Sequence, residues 1–104
     1  MIEPWRKARI TREARRELDQ IWAYVARTSH SIDTAEKVVG EIVAAINQLA
    51  KMPGMGPRRD ELIPGIRTYP VYRYLIFYRE APGGIQVVHV LQGARNLRRF
   101  FRSN

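Results

Sequence analysis

Apolar and polar positions along this chain follow two different periods, and the change from one to the other divides it into elements. Lys7-Ala8-Arg9-Ile10 alternates polar with apolar, which predicts a short first strand. From Ala14 the apolar residues recur every three or four positions, as Ala14, Leu18, Ile21, Trp22 and Val25, with Arg12, Arg15, Arg16 and Asp19 on the other side. That spacing predicts an amphipathic helix running to about Arg27. Thr11 offers a hydroxyl as its N-cap, and Glu13 places an acid in the first turn. Thr28 to Ser31 reads as a turn, after which Asp33 with Glu36 reads as a capping box opening a second helix. The stripe Ala35, Val38, Val39, Ile42, Ile46, Leu49 and Ala50 continues until Met52-Pro53-Gly54 stops it.

Beyond that point the period shortens. Pro53 to Pro64 carries three prolines and two glycines and predicts a structured loop. Ile66–Tyr69 and Tyr72–Arg79 are rich in Tyr, Ile, Phe and Val, as strands are. Pro70 between them cannot donate to a ladder, which marks an edge or a bulge. Ala81 to Gly84 reads as a hairpin turn, Ile85–Leu91 as a third long strand ended by Gly93, and Arg95–Arg102 as a short basic helical tail. The order β-α-α-β-β-β predicts a two-layer α+β fold, with a helix hairpin on one face of a mainly antiparallel sheet and the other face partly open. Alternation puts Tyr72, Tyr74, Ile76 and Tyr78 against the helices with hydroxyls at the rim, and Arg73, Leu75, Phe77 and Arg79 opposite. A tyrosine row can also stack bases, but a face backing helices is the commoner arrangement.

Length and composition narrow the class. The 104 residues suffice for one domain, spanning 1–104, and 45% are hydrophobic, enough for a core. Cysteine is absent, which excludes disulfides and thiolate metal sites and suits a reducing compartment. The N-terminus lacks the pattern of a signal peptide and no apolar run is long enough to span a bilayer, so the expected location is cytoplasmic. Charge changes the picture most. Lys and Arg number 18 against 10 acids, a net +8. Arg6, Lys7, Arg9, Arg12, Arg15 and Arg16 crowd the start; no acid follows Glu80, whereas Arg95, Arg98, Arg99 and Arg102 do. Two basic ends call for an acidic partner, and the dominance of Arg over Lys suits bidentate anion contacts.

Proton-handling groups are scarce. His89 sits mid-strand among valines, where packing or an edge contact accounts for it; His30 falls in the inter-helix turn. Neither has metal-ligand spacing to the other or to a carboxylate, and Gly54 and Gly56 open no phosphate-binding helix. The expectation is no catalytic residue, no metal and no cofactor, hence a binding protein rather than an enzyme. Arg67, Arg73, Arg79 and Arg95 remain as groups able to meet phosphates.

Several segments carry a family resemblance. Pro53-Gly54-Met55-Gly56-Pro57-Arg58-Arg59-Asp60-Glu61-Leu62, then Pro64-Gly65-Ile66-Arg67, Arg73-Tyr74-Leu75-Ile76-Phe77-Tyr78-Arg79 and Val90-Leu91-Gln92-Gly93-Ala94-Arg95-Asn96 resemble, in order and spacing, the ParE branch of the RelE/ParE toxin superfamily. Ala14, Leu18, Ile21-Trp22-Ala23-Tyr24 resemble its first helix. The resemblance implies a toxin of a type II toxin–antitoxin system, inhibiting DNA gyrase by binding and neutralised by a ParD-like antitoxin whose acidic C-terminal segment wraps it. The RelE branch instead cuts mRNA on the ribosome. Here the C-terminal aromatics are Phe100 and Phe101, without hydroxyls, and Leu75 stands where that branch tends to carry arginine, so ribosome-dependent endoribonuclease is the alternative. The usual closing motif His-Gly-Ala-Arg-Asp has Gln92 and Asn96 here, and Tyr72 stands where glycine is common. Together with the acid-free C-terminal stretch, the resemblance singles out Arg67, Arg95, Arg98, Arg99 and Arg102 for target binding, and Trp22 and Tyr24 for antitoxin binding.

Overall fold

The computed structural model describes residues 7–93 and 97–102, with the side chain of Arg102 outside the description. The elements are β1 (Lys7–Ile10), α1 (Arg12–Ser29), α2 (Ile32–Lys51), a 3-10 turn at Pro53–Met55, β2 (Arg67–Val71), β3 (Tyr74–Ala81), β4 (Gly84–Gln92) and α3 (Leu97–Arg102). One sheet has the order β1-β4-β3-β2, antiparallel except for β1, which runs parallel to β4. The two-layer α+β arrangement expected from the periodicity is the one observed.

Helix ends follow local chemistry. The Thr11 hydroxyl accepts from the Ala14 N–H at 3.1 Å and donates to the Val88 carbonyl at 3.2 Å, so one residue caps α1 and fixes its start to the sheet. His30 ends α1 in the left-handed region at φ 57°. The cap of α2 is Ser31, whose hydroxyl accepts from Thr34 N–H at 3.1 Å, rather than Asp33. Asp33 falls inside the first turn, where its charge favours the helix dipole without capping.

The core lies between the hairpin and the sheet. Ala14, Leu18 and Ile21 of α1 and Ile42, Ile46, Leu49 and Ala50 of α2 pack on Tyr74, Ile76, Tyr78, Ile85, Val87 and Val90. Indole N–H donation from Trp22 to Glu36 at 3.1 Å adds a tie between the two helices. The opposite sheet face is less open than the alternation implied. Ile66, Phe77 and Leu91 form a second cluster there, covered by Leu62, Ile63 and the α3 residues Leu97, Phe100 and Phe101. The apolar run from Val87 to Leu91 is explained by this double cover and by a bulge. Tyr78 pairs with Val87 while Phe77 pairs with His89, leaving Val88 extra. The extra residue reverses the alternation, so Ile85 and Val87 before it and Val90 after it all reach the helix side.

Two strand boundaries differ from the sequence expectation. β2 continues through Pro70 to Val71 as the outer strand, where a missing N–H is tolerated. Tyr72 is not in a strand but in the connection, at φ 56°, with its phenol close enough to Glu41 of α2 for the carboxylate to raise its ionisation. Glycine is common at such a position because it reaches positive φ without steric cost; here the tyrosine is held by its contact with α2. At the other end of β4, Gly84 lies so close to Lys7 that a Cβ would meet the Lys7 backbone, which is what lets β1 dock there.

Candidate functional site: a basic end and a groove beside the first helix

Three features concentrate chemistry. The first is the loop between the 3-10 turn and β2. Tyr78 is fully buried, and its hydroxyl accepts from the Gly56 N–H at 2.9 Å and donates to the Pro53 carbonyl at 2.7 Å. This hydroxyl was expected at the rim; burial beneath the loop instead makes it a bolt through two backbone groups that have no ladder partner. Burial pushes its ionisation above the usual range. A Cβ on Gly56 would collide with the Thr68 carbonyl and with the same hydroxyl.

Arg67 completes the attachment. One of its nitrogens donates to the Gly56 carbonyl at 2.7 Å and another lies 3.3 Å from Glu80. Outside it, Arg58 pairs with Asp60 at 3.0 Å and Arg59 with Glu61 at 2.6 Å. Asp60 is held below the usual carboxylate range by the Gly65 N–H and then by Arg58, and Glu61 by the hydrogen bond from Arg59. Arg58, Pro64, Gly65, Arg67, Arg79 and Glu80 line an open cleft of about 290 Å³.

The second feature is α3. Phe101 packs on Phe77 with centroids 5.1 Å apart, and Phe100 and Phe101 meet the His89 ring at 5.2 and 5.7 Å. These contacts seat α3 on the sheet and leave Arg98 and Arg99 exposed. Arg98 stands close enough to Glu61 to lower its ionisation.

The third lies where β1 ends. Glu17, on α1, accepts from the Val90 N–H at 2.8 Å through one carboxylate oxygen, and its other oxygen lies 2.9 Å from His89 Nδ1. Both side chains are largely shielded, with 21% and 18% of His89 and Glu17 accessible. Beside them Glu17, Gln20, Ile21 and Tyr24 of α1 face Tyr74, Val90, Leu91 and Gln92 across a cleft of about 250 Å³. Arg27 sits over the Tyr24 ring at 5.7 Å.

With this geometry in place, comparison with known proteins is decisive on kinship. Residues 8–97 match the model of the family described as the ParE toxin of the type II toxin–antitoxin system parDE. The chain belongs to the ParE toxin family. It is 30% identical to Toxin ParE1 of Caulobacter vibrioides, over 86% of this chain and 92% of that protein. Toxin ParE1 of Mycobacterium tuberculosis is 34% identical over 75% of this chain and 80% of its own length. A solved structure titled as the chromosomal ParDE system from P. aeruginosa superimposes with a TM-score of 0.71 at 24% identity, covering 83% of this chain and 94% of that one, and so shares the fold.

In this ParE-family chain the arginines singled out from sequence do not form one group. Arg67 is turned into the loop it anchors, with 20% of its side chain exposed. Arg98 and Arg99 stand together on α3, with Arg102 at its last position. Arg95 lies outside the described residues. Trp22 and Tyr24 also part company: Trp22 is half-buried against α2, whereas Tyr24 is 45% exposed at the groove. Sequence reasoning missed Glu17, which reads as an ordinary polar helix position. Its partners lie 72 and 73 positions away, and only the sheet edge reveals them. Among the described residues no cluster of three or more His, Cys, Asp or Glu could hold a metal ion, and no helix is long and apolar enough to cross a membrane.

Proposed function

We propose that this ParE-family chain acts in the cytoplasm by binding DNA gyrase, and that a ParD-like antitoxin neutralises it. The observation that carries the target reading is the seating of α3: Phe100 and Phe101 fix a short helix whose exposed side offers Arg98 and Arg99. In the sequence Arg102 ends that helix and Arg95 precedes it, in a stretch without acids after Glu80. Guanidinium groups fixed on a helix suit an acidic protein surface or DNA held by one. Arg67 contributes from behind, by holding the loop that adjoins this end.

The antitoxin reading rests on the groove beside α1, where Tyr24 and Ile21 offer apolar surface and Trp22 adjoins on the same helix. Association there would bury surface on the order of 1,000 Å² and raise the melting temperature of the toxin. Gyrase supercoiling and cleavage-complex assays test the target. Inhibition by the wild-type chain, weakened in Arg98→Glu/Arg99→Glu, is expected. Gyrase left untouched at micromolar excess, or codon-phased mRNA cuts after induction, would overturn it. Co-purification with the product of the adjacent gene, with a gain in melting temperature, tests the partner.

A further inference from the structure

Lys7, Arg9, Arg12, Arg15 and Arg16 fall within ten positions that hold a single acid, Glu13, and all five cations are exposed. Five cations less one acid leave +4, half of the net +8, in ten of 104 residues. Among the described residues none of the five has an ion pair or a side-chain hydrogen bond. The arginines of the β2 loop differ: Arg58, Arg59 and Arg67 each meet a carboxylate, of Asp60, Glu61 and Glu80. The fold sets the unpaired groups along one rim. β1 is an outer strand of the sheet, and its Ala8 and Ile10 pack into the core beneath the helices, so alternation turns Lys7 and Arg9 to the opposite face. α1 starts two residues later, with Ala14 and Leu18 on its buried side. Arg15 and Arg16 stand three and four positions after Arg12, so both are its neighbours on the helix surface. Nothing in folding favours this. Cations in the first turns oppose the helix dipole, and like charges at these spacings repel. Guarding an outer strand against unwanted pairing accounts for Lys7 and Arg9, but not for three arginines on a helix. The arrangement becomes favourable when an anion lies against it.

We propose that this rim, Lys7 to Arg16, binds the phosphate backbone of duplex DNA without reading its sequence. The inference goes beyond the gyrase and antitoxin readings and stands apart from them, since it concerns bare DNA and needs neither partner. Composition selects the occupant. No large apolar side chain is exposed between Lys7 and Arg16, the first along the described chain being Tyr24. A protein interface, by contrast, is built round desolvated aromatic or aliphatic anchors. A single strand is held by bases stacking on aromatic rings, and the rim has none. The duplex backbone needs neither kind of group. It takes charge-assisted hydrogen bonds from cations held in place by a rigid element, and four of the five here are arginines, whose forked donors match phosphate oxygens.

Fluorescence anisotropy of a short labelled duplex, titrated with the full chain at several salt concentrations, reads the contact. Each cation engaged contributes about −0.9 to the slope of log affinity against log salt, so five give about −4.5, a roughly 500-fold loss between about 50 and 200 mM. Arg12→Gln/Arg16→Gln is expected to bring the slope to about −2.7 and the loss to roughly 40-fold. Its melting temperature holds or rises, because like charges leave the first turns of α1, so the change reads the surface and not the fold. Arg27→Gln/Lys37→Gln removes the same charge at the other end of the hairpin. Arg27 lies about 22 Å from Arg12 along α1, beyond a screening length of about 10 Å, so this variant is expected to keep the wild-type slope. Absence of binding at about 50 mM salt overturns the proposal. So does a slope that both double variants lower equally, which assigns the attraction to net charge alone. Tighter binding of a single strand of the same sequence, or displacement of the duplex by polyglutamate of equal charge, overturns the choice of duplex DNA as the occupant.

Discussion

Removing one oxygen atom, in Tyr78→Phe, tests how the loop that bears Arg58, Arg59 and the Arg67 contact is held. The ring keeps its volume and its place among Ile76, Ile85 and Val87, so no cavity beyond the hydroxyl arises. What is lost is a partner for two backbone groups, the buried Gly56 N–H and the partly buried Pro53 carbonyl. A buried group deprived of its partner costs about 1–3 kcal/mol. The partial solvation of Pro53 places the total at about 2–4 kcal/mol. At about 4–8 °C per kcal/mol for a domain near this size, the melting temperature falls by roughly 8–32 °C. Urea unfolding followed by circular dichroism is the assay, with an unchanged slope showing that both chains unfold from equally compact states. A loss under about 0.5 kcal/mol, within the ordinary range of surface changes, would refute the bolt. The same group supplies a pH signature. Burial raises the Tyr78 phenol above its ordinary 10.0, so the folded state favours the protonated form. Its contribution is present below pH 10 and is lost as pH rises through the raised value. Tyr78→Phe is therefore expected to lose less stability in alkali than the wild type.

Other perturbations probe the remaining contacts. Glu17→Ala leaves the Val90 N–H without its acceptor and is expected to cost about 1–2 kcal/mol in urea unfolding, with Glu17→Gln recovering part of it. Phe100→Ser/Phe101→Ser unseats α3 from Phe77 and Leu91; limited proteolysis should then cleave near Leu97 while the helix hairpin still resists. The depressed carboxyls of Asp60 and Glu61 stabilise the loop above their ordinary values of 3.8 and 4.5, and this is lost as pH falls through the lower folded values. The Gly65 amide shift, which reports its bond to Asp60 at 2.7 Å, should titrate below the ordinary carboxylate range.

Much of the fold could be read along the chain because its cues are local. The stripe from Ala35 to Ala50, the Thr11 cap and the Pro70 edge depend on residues within a few positions of one another. Three things could not be read that way. The competition between Ser31 and Asp33 for the α2 cap turns on one residue of backbone geometry. The Val88 bulge is invisible because every residue from Val87 to Leu91 except His89 is apolar, so a shift in parity leaves no trace in the pattern. The Glu17–His89–Val90 contact requires knowing where β1 stops relative to β4. The candidate basic surface was legible as composition, but the inward turn of Arg67 was not, since its acceptor is the Gly56 backbone carbonyl.

Parallel pairing of β1 with β4 ties the beginning of the chain to a segment nearly at its end: the Thr11 bond to Val88 spans 77 positions. During synthesis the first strand and both long helices emerge before the segment that completes their sheet has been made. Closing so long a loop is slow compared with forming the helices. The cationic helix follows β4, so a nascent chain interrupted anywhere before Gly84 lacks it. On the reading proposed above, the chain gains its target-binding surface only in the last moments of translation.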